Sequence, residues 1–260
     1  MAGKVLNVRD LGGIPVGDGR VTRSGVLVRG PQIASLSGKR AKVFAEEWGI
    51  GSIIDLRTPQ EQKEKPDPKV PGTTYYSLPL FDEATSGISY EKSQRLKDKV
   101  KAIPDMPALY RSMVTEPDYV DNLRHIVHTV LEETKRLQHS DTPGAVYYHC
   151  TAGKDRTGIV TLLLLSLCHV PREAILQDYL RTNDVRVPRD ELRIFAVSAL
   201  LRDPEVTEGL RKVFRAEESY LNAAITAIGE TWGSIDAFLE GPLQVTAAQR
   251  EAFQKVFLEP

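Results

Sequence analysis

A cysteine and an arginine lie six positions apart between two apolar segments of the chain. They are Cys150 and Arg156, within the run HCTAGKDRTG. The segment before them has strand propensity, and the segment after them is typical of a buried helix. A loop that joins a strand to a helix N-terminus points several backbone N–H groups at one spot, where the helix dipole adds positive charge. We therefore predict an anion-binding loop with a thiol at its start and a guanidinium at its end.

This pairing of groups favours chemistry on a phosphate ester. A thiol at a helix N-terminus beside fixed positive charge can have its pKa lowered from about 8.5 into the range of about 3.5–7.5, so that the thiolate is present at neutral pH. A guanidinium offers two parallel donors to two phosphate oxygens. We therefore predict phosphoryl transfer to the cysteine, followed by hydrolysis of the phosphocysteine. The predicted phosphate-binding residues are Thr151, Ala152, Gly153, Lys154, Asp155 and Arg156.

Such a hydrolysis also needs a general acid, because an alkoxide or phenoxide is a poor leaving group without a proton. Two carboxylates are candidates. Asp155 lies inside the loop, next to Arg156, whereas Asp82 follows a predicted strand over 73–80 on a loop that could swing over the site. The residues alone leave both candidates open.

Four further residues are expected to support the site. Thr157 can donate its hydroxyl to the thiolate, and His149 is expected to orient the loop by hydrogen bonding to its backbone. Asp55 and Arg57 follow a short apolar strand, at the strand end where open α/β sheets place ligands. They are either part of the site or an ion pair that ties the strand to the next loop.

Composition limits the remaining possibilities. The 260 residues are 41% hydrophobic with a net charge of −1, which is enough for a full core and gives no basic surface for nucleic acid. We expect a single domain over residues 1–260. Two cysteines exclude a disulfide framework, and no stretch has the length of a membrane span or the apolar core of a signal peptide. A cytoplasmic location is therefore expected, with export by a route that needs no signal peptide left open. No cofactor and no metal are expected, since Arg156 and backbone amides supply the positive charge.

The order of elements predicts an α/β fold, with a short, mainly parallel central sheet flanked by helices on both faces. A hairpin is expected around the turn at 17–19, with residues 21–28 as one of its strands. Residues 61–69 are charged and rich in proline, which indicates a solvated loop. The helix that begins at Arg172 is expected to end at residues 182–184, Thr-Asn-Asp. The other predicted helices cover 37–48, 90–100, 105–115, 118–137, 189–201, 204–215, 217–230, 234–239 and 246–257.

The run HCTAGKDRTG resembles the signature of cysteine-dependent protein tyrosine phosphatases, and its interior GKDR is similar to the atypical bacterial branch of that family. Two further runs, NVRDLGG (residues 7–13) and IIDLR (residues 53–57), resemble this branch in order and spacing. The resemblance implies a tyrosine-phosphatase-like fold acting on phosphotyrosine proteins and, in several cases, on phosphoinositides. It favours Asp155 as the acid and associates Lys154 with phosphoinositide activity. It also implies that residues 185–215 form a mobile cover over the site, and a static helical layer is the alternative.

Two other functions use a similar loop. A sulfurtransferase has a cradled cysteine but little need for the arginine or for a carboxylic acid. A non-catalytic phosphate-binding module could keep the loop without turnover. Because the chain keeps Cys150, Arg156 and both candidate acids, we favour catalysis.

Overall fold

The computed structural model describes residues 5–81, 105–201 and 203–260. Its strands are β1 (Arg9–Asp10), β2 (Val21–Thr22), β3 (Leu27–Pro31), β4 (Ile50–Asp55), β5 (Thr74–Ser77), β6 (Ala145–Cys150) and β7 (Leu258–Glu259). Five of them form one sheet in the order β1-β3-β6-β4-β5, in which only β1 is antiparallel to its neighbour. The α/β prediction with a mainly parallel sheet is therefore confirmed.

Helices cover both faces of this sheet. They are α1 (Gly38–Trp48), α2 (Pro59–Glu64), α3 (Met106–Thr115), α4 (Pro117–Gln138), α5 (Asp155–Leu167), α6 (Arg172–Leu201), α7 (Pro204–Phe214), α8 (Glu218–Trp232), α9 (Ile235–Glu240) and α10 (Ala247–Phe257). Side chains of β6 alternate between the two faces. Ala145 and Tyr147 pack with α1, and Val146 and Tyr148 pack in the larger core that contains α4 and α5.

The central strand β6 places the cysteine at the carboxyl end of the sheet. All six of its residues are buried, as expected for a strand covered on both faces. Cys150 pairs in register with Pro31 of β3, and the neighbouring His149 pairs with Asp55 of β4. The strand ends therefore bring these four residues to one edge of the sheet, where parallel sheets bind ligands.

The predicted hairpin is present at the turn over 17–19, where Pro15 and Val21 form an isolated antiparallel bridge, but residues 21–28 do not form one continuous strand. Across this turn, Val16 donates its backbone N–H to the Arg20 carbonyl at 2.8 Å. However, β1 pairs with β3, and β2 pairs with β7 at the other end of the sequence. The pairing of strands this far apart in the sequence cannot be predicted from the local residue pattern.

The predicted solvated loop over residues 61–69 is also wrong in its first part. Residues Pro59–Glu64 form α2, which begins with a capping box: the Thr58 hydroxyl accepts from the Glu61 backbone N–H, and the Glu61 carboxylate accepts from the Thr58 backbone N–H. Pro59 at the first helical position fits this start, because its fixed φ suits a helix and its missing donor is not needed there.

The helix α6 does not end at residues 182–184. Thr182 is buried, and Asn183 uses its side-chain amide to bind the backbone N–H and carbonyl of Ala216 at 2.9 and 2.8 Å. Asn183, a residue type that often ends helices, is tolerated here because Ala216 satisfies its side-chain amide. Within the described ranges, no helix combines the length and apolarity needed to cross a membrane.

Candidate active site

A glycine allows the loop between β6 and α5 to lie close against β3. Gly153 has φ +66°, and a Cβ at this position would lie 2.4 Å from the carbonyl carbon of Gly30. Any other residue would be strained and would also collide with β3. The N-cap residue Lys154 makes no side-chain hydrogen bond to the first turn of α5, so this turn offers N–H groups to an acceptor in the site. This is the predicted arrangement for binding an anion.

Cys150 is buried at the end of β6, with 3% of its surface exposed. Burial alone raises the pKa of its thiol, but the charge of Arg156 and hydrogen bonds from the hydroxyl and backbone N–H of Thr157 outweigh that effect and lower the pKa below its usual value. The Thr157 hydroxyl has no oxygen or nitrogen partner among the described residues, which leaves it for the sulfur. The surroundings therefore favour a thiolate.

Arg156 is bound by Glu61, a residue that the sequence interpretation placed in a solvated loop. Its Nη1 and Nη2 atoms lie 2.5 and 2.9 Å from the two carboxylate oxygens of Glu61. Burial raises the pKa of Glu61, but this pair and a hydrogen bond from Thr151 lower it to about 2. The guanidinium also lies over the ring of Phe81, with Cζ 5.6 Å from the ring centroid. Arg156 is therefore fixed from two sides.

A local signal for Glu61 was present in the sequence. The run Thr-Pro-Gln-Glu at residues 58–61 has the spacing of a capping box with proline at the first helical position. That signal predicts a helix start with Glu61 in its first turn. It does not predict that the same carboxylate reaches Arg156, because that contact depends on how α2 packs beside the loop.

Asp155 lies at the start of α5 with 25% of its side chain exposed. Its Oδ1 atom accepts a hydrogen bond from the Tyr110 hydroxyl at 2.7 Å and lies 2.9 Å from the Lys154 ammonium. The Tyr110 hydroxyl is also 2.7 Å from that of Tyr179, so two buried phenols support this carboxylate. The other candidate acid, Asp82, lies outside the described residues.

The Lys154 side chain is directed into the protein and not toward solvent. It is 2% exposed, and Nζ donates to the carbonyls of Val213 and Arg215 at 2.9 Å each. These carbonyls belong to the end of α7, where a cation is favoured by the helix dipole. The ammonium therefore joins the loop between β6 and α5, called the phosphate loop below (residues 150–156), to the segment that connects α7 and α8.

Asp55 and Arg57 are fully buried, and they form an ion-pair network that includes His149. Arg57 binds Asp55 at 2.6 Å and Asp67 at 3.2 Å through Nη2. The His149 Nε2 atom lies 3.0 Å from Asp67. Burial lowers the pKa of His149, but Asp67 and Asp55 outweigh it and raise the pKa above its usual value.

The same group has the spacing of a possible metal site. One ligand atom each from Asp55, Asp67 and His149 lies within 4.8 Å of the others. However, the Arg57 guanidinium already contacts both carboxylates and supplies the positive charge that they need. We therefore interpret the network as a structural support behind Cys150 and not as a cation site.

A cleft of about 980 Å³ opens on the outer side of the phosphate loop. The loop contributes Thr151, Ala152, Lys154 and Asp155 to its wall, and α6 contributes Arg186. Cys150 is buried and is not among the described residues that line the cleft. The cleft is large enough for a phosphorylated side chain or a sugar phosphate.

Residues 2–259 match the model of the tyrosine phosphatase family. Over 249 residues, the chain is 29% identical to a Cupriavidus necator protein whose name assigns it provisionally to the tyrosine-protein phosphatases; the match covers 94% of this chain and 84% of that protein. It is 28% identical to the triple specificity protein phosphatase PtpB of Mycobacterium tuberculosis, over 84% of this chain and 85% of PtpB. A tyrosine-protein phosphatase of Nostoc commune is 31% identical over 50% of this chain and 40% of its own length.

Proposed function

The chain belongs to the tyrosine phosphatase family and is a protein-tyrosine phosphatase, and from this premise we propose that it works through a phosphocysteine on Cys150. The observation that carries the proposal is the environment of this thiol. Arg156 and Thr157 lower its pKa although it is buried, and the uncapped start of α5 offers N–H donors beside it. A thiolate next to an anion site is the arrangement that nucleophilic attack on a phosphate ester requires.

In the first step, the Cys150 sulfur attacks phosphorus, and the bond from phosphorus to the ester oxygen breaks. The leaving oxygen takes a proton from the general acid, for which we propose Asp155. Both contacts of its carboxylate use Oδ1, so Oδ2 is the oxygen that we expect to face the substrate. Asp82 remains the alternative acid.

In the second step, a water molecule attacks the phosphocysteine. Its proton passes to the carboxylate that acted as the acid, the bond from sulfur to phosphorus breaks, and inorganic phosphate leaves. The Thr157 hydroxyl stabilises the sulfur anion that is released. Arg156 binds the transferred group in both steps through Nε and the second N–H of Nη2, because Glu61 accepts from one N–H each of Nη1 and Nη2 and the Leu56 carbonyl accepts from Nη1.

For substrates, we propose phosphotyrosine proteins, with phosphoinositides as a second class. The size of the cleft supports both. Its wall carries basic side chains from Arg40, Lys65 and Arg186 together with the carboxylates of Glu64, Asp155 and Asp190, and Arg186 pairs with Asp190 at 3.2 Å. We also propose that α6 and α7 act as its cover, since Arg186 and Phe214 line it.

The test is single-turnover hydrolysis of a phosphotyrosine peptide and of a soluble phosphoinositide, with acid quench to trap the phosphoenzyme. Wild type should form a phosphoenzyme, and Cys150→Ser should not. Asp155→Asn should slow the first step, and less so for a leaving group that needs no proton. If only Asp82→Asn does this, Asp82 is the acid. If wild type binds phosphate but turns over neither substrate, the chain acts as a phosphate-binding module.

A further inference from the structure

Two buried side chains donate hydrogen bonds to backbone carbonyls of the phosphate loop. The Asn7 amide donates from Nδ2 to the carbonyls of Ala152 and Gly153, at 3.1 and 3.0 Å. Arg29 donates from Nη2 to the Gly153 carbonyl at 3.0 Å. Asn7 and Arg29 come from the beginning of the chain, more than 120 residues before the loop.

These two donors are themselves fixed. Arg9 donates from Nη1 to the Asn7 side-chain oxygen at 2.6 Å, which sets the direction of the Asn7 amide. Asp178, on α6, accepts from Arg9 at 2.6 Å and from Arg29 at 2.7 Å. Arg29 is fully buried, and Asn7 and Asp178 are each 4% exposed. The Arg29 Nε atom has no hydrogen-bond partner among the described residues, but the bonds made by Asn7, Arg9, Asp178 and the two Nη atoms of Arg29 favour one arrangement of the network.

The position of the two carbonyls determines the direction of the next two N–H groups. In a trans peptide the C=O of one residue and the N–H of the following residue point in opposite directions, and the described residues contain no cis peptide. When Asn7 and Arg29 hold the carbonyls of Ala152 and Gly153, the N–H groups of Gly153 and Lys154 point away from the network. These N–H groups lie between Cys150 and Arg156 in the loop.

We propose that Asn7 and Arg29 are positioning residues that aim the Gly153 and Lys154 N–H groups at the bound phosphoryl group. The proposal rests on the proposed function, because it assigns a role in binding the substrate of that reaction. Neither residue touches the substrate. They act through the loop backbone, and α6 takes part because Asp178 anchors both arginines.

The conformation of Asn7 suggests which substitutions to use. Its φ is +69°, in the left-handed region that asparagine, aspartate and glycine tolerate. Asn7→Gly removes both donors without strain and without a change of charge. Asn7→Asp also removes them but keeps the oxygen that accepts from Arg9. Only the loss of the donors is common to the two variants.

The probe is tungstate, a non-covalent phosphate analogue, with its Kd measured by calorimetry. Wild type should bind it, and both Asn7→Gly and Asn7→Asp should raise the Kd by about 10-fold or more, the range expected for hydrogen bonds to a charged group. Asn222→Asp, on α8, is the control for an added carboxylate. If Asn7→Gly binds tungstate as wild type does and only Asn7→Asp is weaker, charge explains the effect and the proposal is overturned.

A second variant and a second readout guard against a simple loss of folding. Arg29→Lys keeps the charge beside Asp178 but has a shorter donor for the Gly153 carbonyl, and it should also raise the Kd. Thermal unfolding should show each variant folded at the assay temperature. In amide NMR spectra of wild type, tungstate should shift the Gly153 and Lys154 signals most, and these shifts should shrink in Asn7→Gly.

The outcomes separate this proposal from the function on which it rests. If wild type hydrolyses a phosphotyrosine peptide but the folded Asn7 variants bind tungstate normally, only the positioning role is wrong. If wild type neither binds tungstate nor hydrolyses the peptide, the proposed function is wrong, and the positioning role with it.

Discussion

Glu61 binds Arg156 through both carboxylate oxygens, at 2.5 and 2.9 Å. The same carboxylate accepts from the Thr58 backbone N–H and from the Thr151 hydroxyl. One side chain therefore joins the start of α2, the phosphate loop and the guanidinium. Because the pair uses the outer side of the guanidinium, it can persist when phosphate binds to the other edge.

We expect Glu61→Gln to lower kcat/KM for a phosphotyrosine peptide by about 10- to 100-fold, since small displacements of a positioning contact have effects of this size. A carboxamide keeps one acceptor but presents an NH₂ group to the guanidinium in place of the second oxygen. Steady-state kinetics and the Kd of tungstate measure the effect. Glu46→Gln, an exposed carboxylate paired with Lys42 on α1, is the matched control. Equal kinetics for the two variants would show that Arg156 keeps its position without Glu61.

The environment of Cys150 predicts its reactivity. Alkylation by iodoacetamide should follow a pH profile with a midpoint below that of an ordinary thiol, about 8.5. Thr157→Val should move the midpoint upward, because it removes a hydrogen bond that favours the thiolate. Burial raises the pKa of Cys168 to about 12, so Cys168→Ala should leave the profile unchanged. A wild-type midpoint above 8.5 would contradict the assignment of Cys150 as an activated nucleophile.

His149 should make stability depend on pH. Its pKa is raised in the folded state, so the folded protein binds its proton more tightly than the unfolded chain does. This contribution is fully present below the unfolded value of about 6.5 and is lost as the pH rises through the folded pKa. The difference in unfolding free energy between wild type and His149→Gln should therefore shrink between pH 6 and pH 9 in urea titrations. The exposed His125→Gln variant controls for loss of an imidazole. A difference that grows with pH would mean that His149 is neutral in the fold.

Lys154 should stabilise the end of α7. Lys154→Met keeps most of the volume but leaves the Val213 and Arg215 carbonyls without their ammonium donor. Hydrogen exchange across residues 213–217 should become roughly 10-fold faster or more, the size expected for losing hydrogen bonds to a charged group. The control is Lys212→Met, which removes an exposed lysine from the same helix. The same exchange rates in both variants would show that the Lys154 contact does not stabilise the end of α7.

The sequence predicts those parts of the site that adjacent residues determine. Cys150 and Arg156 lie in one loop, and the change from an apolar strand to an apolar helix around them is a local pattern. The helix α10 was found in the same way, from the capping box at Thr246 and Gln249. Short-range spacing is enough for such features, because the contacts that form them are also short-range.

The rest depends on contacts between distant segments. From the sequence alone, Lys154 is interpreted as an exposed lysine, because its contact with the end of α7 is not visible there. In the same way, residues 182–184 are interpreted as the end of a helix, because the contact between Asn183 and Ala216 is not visible. Asn7 belongs to the run NVRDLGG, but its contact with the Gly153 carbonyl spans 146 residues. No spacing rule within one element predicts these contacts.

The strand order has a consequence for synthesis of the chain. β6 lies between β3 and β4, so these two earlier strands have no contact with each other through the sheet until β6 emerges from the ribosome. At roughly 5–20 residues per second, translation from Asp55 to Ala145 takes about 5–20 s. During this time the edges of β3 and β4 that will pair with β6 need protection by a chaperone or by nascent helices. The strand that completes the sheet also carries Cys150 at its end. A half-made chain therefore has no nucleophile to expose to oxidants, and reactivity arises together with the fold that controls it.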